Sequence, residues 1–142
     1  METPNLDNSS TSKSARWTSR ILRGLVVLFL VVDGAMHLAQ PAPVVTAMNQ
    51  LGFPLDVTFA IGVIQLICTA LYVIPATSTL GALLLTGYLG GAVAAHMRVG
   101  NPVFEAYIFP AMVGAMLWGG IFPQFKSLLA LKSWQHPQAA SR

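Results

Sequence analysis

Four long apolar runs, each closed by a polar or proline-containing break, set the pattern of this chain. The first occupies residues 21–39 and stops at Gln40 and Pro41. Wound as a helix at 1.5 Å per residue it reaches about 28 Å, close to the thickness of a bilayer's hydrocarbon core. The second run occupies 57–74, with Pro54 and Asp56 suited to its first turn and Pro75 to its end. The third occupies 80–97, where Thr77 or Ser78 can cap it. The fourth occupies 103–122, opened by Asn101 and Pro102 and interrupted by Pro110, which predicts a kink. The expected fold is therefore all-α, an integral membrane bundle of four helices.

The flanks read differently. Residues 1–19 are rich in Asn, Ser and Thr without apolar periodicity, which predicts a disordered tail. In 41–56, Val44, Val45, Met48 and Leu51 recur at helical spacing and predict a short surface helix. In 123–134, Phe125, Leu128, Leu129 and Trp134 alternate with Lys126 and Lys132 as an amphipathic surface segment, and 135–142 is a polar tail. Within the third run Gly87, Gly91 and Ala95 fall at four-residue intervals with Gly90 and Ala94 beside them, a pattern that lets helices approach closely in lipid.

Composition supports the membrane reading, since 54% of residues are hydrophobic and only 9% charged. A soluble domain needs about a quarter charged residues to coat its surface. The net charge of +3 does not form a nucleic-acid footprint. Lys13, Arg16, Arg20, Arg23, Lys126, Lys132 and Arg142 lie toward the termini and only Arg98 lies in a connection, which places both termini in the cytoplasm. Trp17, Trp118 and Trp134 then fall toward the inner interface, and Phe53, Phe104 and Tyr107 toward the outer. A cleaved secretory leader is the competing reading of the first run, but His37 and Gln40 stand where small residues are required. The single cysteine, Cys68, offers no paired-thiol chemistry within the chain.

Polar side chains inside a span are costly, so those present are informative. They are Asp33, His37, Gln65 and His96, with Arg98 and Glu105 at span ends, and the topology puts all six at a similar outer depth. Asp33 and His37 are four residues apart and share a helix face. One outward polar pocket is the expectation. Several uses of it stay open: ligation of a metal or haem by the histidines, a proton relay beside a quinone, capture of a small ligand, or purely structural pairing. No close-spaced metal motif, nucleotide loop or nucleophile arrangement accompanies it, so no metal is assigned and a free-standing enzyme is not expected.

Asp33-Gly34-Ala35-Met36-His37-Leu38, Leu51-Gly52-Phe53-Pro54, Ile61-Gly62-Val63-Ile64-Gln65-Leu66, His96-Met97-Arg98-Val99-Gly100-Asn101-Pro102 and Leu117-Trp118-Gly119-Gly120, in this order, resemble the DoxX-like family of bacterial membrane proteins. The resemblance implies a four-helix membrane bundle, with a polar residue at Gln65 and the His96 and Arg98 pair ending the third helix. Some members of the wider family belong to membrane oxidoreductase assemblies, including a thiosulfate to quinone electron-transfer complex, and distant eukaryotic relatives act as membrane chaperones or cargo receptors. The expectation is thus an accessory subunit of a complex in the bacterial cytoplasmic membrane, with quinone as the cofactor class. The alternative is an assembly factor that binds other transmembrane helices. The expected partners are the bilayer and other membrane subunits or a second copy.

Overall fold

The structure, a computed structural model, describes residues 8–134; the expected polar tail at 135–142 lies outside the described residues. Five α-helices follow one another as α1 (Asn8–Ala39), α2 (Ala42–Gln50), α3 (Leu55–Val73), α4 (Ser78–Arg98) and α5 (Phe109–Trp134), with a π turn at Phe104–Ile108 before the last. Four stretches are long and apolar enough to cross a membrane: Arg16–Ala39, Leu55–Val73, Ser78–Arg98 and Phe104–Phe122. The chain is an all-helical, multi-pass membrane bundle. α1 packs against α3 and α5, and α4 packs against the same two helices, so the four long helices close a ring in chain order.

Two local expectations are corrected, and a third takes a specific form. The segment 8–19, read as a disordered tail, is helical and continues α1 outward. It contains no glycine or proline to stop propagation from the apolar run, and Thr18 Oγ1 donates to the Ser14 carbonyl at 3.1 Å. At the other end α5 runs through Pro123 to Trp134 as one helix, where a separate surface segment was expected. The proline costs the helix one backbone hydrogen bond without ending it. The disturbance expected at Pro110 takes the form of the π turn that precedes it. Pro110 has no N–H to give, and the Phe109 N–H reaches back five residues to the Phe104 carbonyl.

The surface helix α2 forms within the expected 41–56 segment and turns Met48 and the following Leu51 inward, both buried. Gln40 takes a left-handed φ of 48° at the end of α1, and its side chain donates to the Leu55 carbonyl at 2.6 Å. That bond fixes the start of α3 beside the end of α1.

The bundle is packed unevenly along its length. Val26, Leu30, Cys68, Tyr72, Ala82, Leu85, Val113, Leu117 and Ile121 make one buried core in the half that holds the end of α3 and the start of α4. Tyr72 is fully buried and donates through its hydroxyl to the Leu117 carbonyl at 2.7 Å. Arg23 donates to the Tyr72 and Val73 carbonyls at 2.7 and 3.0 Å, satisfying the end of α3. Ser19 Oγ donates to the Gly120 carbonyl at 2.7 Å and ties α1 to α5.

Glycines permit this closeness, but not those of the predicted stripe. A Cβ at Gly81 would fall on the Tyr72 backbone, and one at Gly120 would sit 2.6 Å from the Tyr72 hydroxyl. A Cβ at Gly87, Gly90 or Gly91 would meet nothing within 4 Å, and Gly87, Gly90, Gly91 and Ala94 are exposed while Ala95 is half-buried. Among the described residues, the glycines of the stripe therefore mediate no close helix contact. Gly81→Val should lower stability by about 1–3 kcal/mol through overpacking, whereas Gly87→Val should change it by less than about 0.5 kcal/mol. Denaturation of the two purified variants in one detergent checks this, and equal losses would contradict the packing described.

Candidate ligand cavity

The other half of the bundle is built around Gln65. α1 and α3 approach through Gly34 and Gly62, where a Cβ at Gly62 would lie 2.8 Å from His37 Cβ and 3.0 Å from the Gly34 carbonyl. This approach places Gln65, which is fully buried, against the polar turn of α1. Its amide nitrogen donates to Asp33 Oδ2 at 2.8 Å and to the Leu30 carbonyl at 3.3 Å, and its oxygen accepts the Tyr88 hydroxyl at 3.1 Å. One side chain thus joins α1, α3 and α4. Asp33 in turn lies beside His37, whose Nδ1 is 2.9 Å from the Asp33 carbonyl and 3.9 Å from Oδ2.

Beyond this network the helices separate and leave a cavity of about 400 Å³, within the size range of small-molecule sites. Asp33, His37, Tyr88, His96 and Glu105 give it polar groups, and Phe29, Phe53 and Phe109 give it aromatic walls. Leu51 and Phe53, which follow α2, bound one side. The two histidines are held in opposite tautomers. The Asp33 carbonyl can only accept, so His37 Nδ1 carries a proton and in the neutral ring Nε2 is the acceptor. Asn101 Nδ2 donates to His96 Nδ1 at 2.7 Å, so in the neutral ring the proton sits on Nε2. The cavity offers one imidazole acceptor and one imidazole donor, flanked by two carboxyl groups. Among the described residues, no three His, Cys, Asp or Glu side chains gather closely enough to hold a metal ion.

The DoxX-like family profile matches residues 21–120, which takes in the second and third membrane-crossing stretches, most of the first and fourth, and every residue lining the polar cavity. The chain belongs to the DoxX-like family. No curated protein and no solved structure gives a significant match to it.

Of the six polar residues singled out in the sequence, this DoxX-like chain brings Asp33, His37, His96 and Glu105 to one cavity, with Gln65 directly behind Asp33. Arg98 goes elsewhere. Its guanidinium donates to the Leu51 carbonyl and packs over Gly52, where it satisfies the end of α2. Asp33 is therefore partnered by Gln65 and not by Arg98. Tyr88 and the His96 partner Asn101 were not foreseen as site residues. Tyr88 is three residues before Gly91 and four after Leu84, on a helix whose small residues drew the reading to packing, and Asn101 was expected as a helix cap. Its side chain bonds His96 instead. The physical signal for Tyr88 was a phenolic hydroxyl deep in a span, which needs a partner there.

Replacing Gln65 by Leu removes the donor to Asp33 and the acceptor for Tyr88 together. The expected loss is about 1–3 kcal/mol of bundle stability, against about 0.6 kcal/mol for Tyr88→Phe, the usual worth of an interhelical hydrogen bond in a membrane. Unfolding of both variants in mixed micelles gives the comparison. A Gln65→Leu protein as stable as the parent would show that the network does not hold the helices.

Proposed function

We propose that this DoxX-like protein is an accessory subunit of a redox complex in the bacterial cytoplasmic membrane, and that its cavity takes the head group of a quinone. The observation that carries the reading is the convergence of two oppositely poised histidines and two carboxyl groups on one aromatic-walled cavity within a membrane bundle. A quinone carbonyl accepts a hydrogen bond, and His96 Nε2–H is the donor for it. A hydroquinone hydroxyl donates, and His37 Nε2 is the acceptor for it. Both redox forms therefore find a partner without rearrangement of the helices. Conversion of quinone to hydroquinone takes two electrons and two protons. On this reading the electrons come from a neighbouring redox subunit, while Asp33, His37, His96 and Glu105 provide the protonatable groups.

The orientation belongs to the same proposal. With Lys and Arg concentrated near the termini, the start of α1 faces the cytoplasm and α2, beside the cavity, faces outward. In a Cys68→Ala background, a cysteine at Ser14 should resist impermeant maleimide in intact cells and one at Asn49 should react. The reverse pattern would invert the topology.

A second reading, an assembly factor that binds other transmembrane helices, is favoured by the exposed small-residue face of α4, where added Cβ atoms at Gly87, Gly90 and Gly91 would meet nothing within 4 Å among the described residues. The two readings separate by mutation. If the cavity serves a quinone, His37→Ala and His96→Ala should each weaken binding of a soluble short-chain quinone to the purified protein by about 10-fold, the worth of about 1.4 kcal/mol. Gly87→Leu should leave that binding unchanged. Quinone affinity insensitive to both histidine substitutions would overturn the reading, and a loss of complex assembly confined to Gly87→Leu would favour the second.

A further inference from the structure

A second cavity, of about 220 Å³, lies along the seam between α1 and α5, lined by Val26, Phe29, Phe109, Met112, Val113 and Met116. Its lining presents no polar surface. Phe29 and Phe109 belong to both cavities, and their rings meet edge to face with centroids 5.3 Å apart. They form a partition between a polar chamber and an apolar groove. The groove opens toward lipid, since Phe29, Phe109 and Met112 are all partly exposed on the outer face of the bundle.

The charge of the chamber narrows what can enter it. Asp33 and Glu105 line it, and no Lys or Arg does. The nearby basic group, the Arg98 guanidinium, is held at the Leu51 carbonyl. An anionic head, whether a fatty-acid carboxylate or a lipid phosphate, would meet two carboxyl groups and no compensating cation in a low-dielectric setting, which is strongly unfavourable. A neutral head finds the imidazole donor and acceptor instead.

We infer that the protein binds an uncharged-headed amphiphile with a single apolar tail, its head in the polar chamber and its tail passing beside the Phe29 and Phe109 pair into the α1/α5 groove. This rests on the reading that the chamber takes the head of a lipid-soluble ligand, and adds that the tail is recognised. The tail leaves one apolar medium for another, so its binding draws on close packing and not on transfer from water. Two thioether side chains, Met112 and Met116, suit a flexible chain because they adapt to irregular apolar shapes. The Phe29 and Phe109 rings, which lie one helical turn or so from the polar groups on α1, set where head ends and tail begins.

The test compares three probes on the purified full chain in detergent: a benzoquinone without a tail, the same ring bearing a ten-carbon tail, and decanoate. The parent protein should bind the tailed ring at least 10-fold more tightly, at equal concentration within the micelle phase, than the Met112→Trp variant does. The tailless ring should bind both equally, and decanoate should not displace either. A diazirine placed midway along the tail should label peptides containing Met112 or Met116, which makes the test independent of whether the tryptophan variant folds. Labelling spread evenly over the lipid-facing helices, or a tail contribution unchanged in Met112→Trp, would overturn the tail groove while leaving head-group binding intact. Displacement of the tailed ring by decanoate would overturn the neutral-head assignment. Absence of binding by either ring would instead overturn the quinone reading itself.

Discussion

A buried amide in an apolar bundle has to satisfy both of its ends, and the arrangement of the polar half of this protein follows from how Gln65 does so. Its nitrogen has two hydrogens and uses them on Asp33 and the Leu30 carbonyl; its oxygen takes the Tyr88 hydroxyl. No buried side-chain nitrogen or oxygen among the described residues is left without a partner. In lipid there is no water to take over a broken contact, so these bonds fix the rotation of α1, α3 and α4 relative to one another. The fixed rotation turns Asp33 and His37 toward the interior in a helix that is otherwise exposed at Leu28, Val31, Val32 and Met36. The glycine contact between Gly34 and Gly62 is what lets the amide reach.

The same chain resolves two opposing demands by dividing them along the helix axis. In one half, Tyr72, Leu85, Leu117 and Ile121 fill the centre completely. In the other, a cavity remains, bounded in part by the π turn before Pro110 and by the residues that follow α2. A π turn carries an extra residue per turn and shifts the side chains beyond it around the axis. Here it contains Glu105 and is followed by Phe109, both of which line the cavity. A filled core thus supports an open one, with the stabilising contacts placed away from the groups available for chemistry.

Much of the fold was legible in the sequence because bilayer thickness is a hard length filter: a largely apolar run over 21–39, and similar runs later, admit little other than spans. That Asp33, His37, His96 and Glu105 share one level of the bundle was legible by the same counting at 1.5 Å per residue. What counting cannot supply is the direction in which a residue faces. Arg98 was placed with the pocket by depth, yet its long side chain reaches past it to the end of α2. Gly87, Gly90 and Gly91 were placed in a helix interface by spacing, yet the contacts that demand glycine are at Gly34, Gly62, Gly81 and Gly120, which follow no single repeat. Small-residue spacing says that a face can be approached and not that anything approaches it.

The position of Arg98 has a consequence for the whole site. A free guanidinium at the cavity rim would attract anions and would neutralise Asp33 or Glu105. Held at the Leu51 carbonyl, it serves the end of α2 instead and leaves the two carboxyl groups to set the field within. Leu51, whose carbonyl receives the bond, is itself a wall of the cavity, and Phe53 follows two residues later. The single basic residue outside the terminal segments therefore does two things at once: it pins the surface helix that closes the cavity on one side, and it withdraws positive charge from the interior. With that side bounded by the end of α2, the α1/α5 seam borders the chamber at Phe29 and Phe109 and presents apolar groups alone.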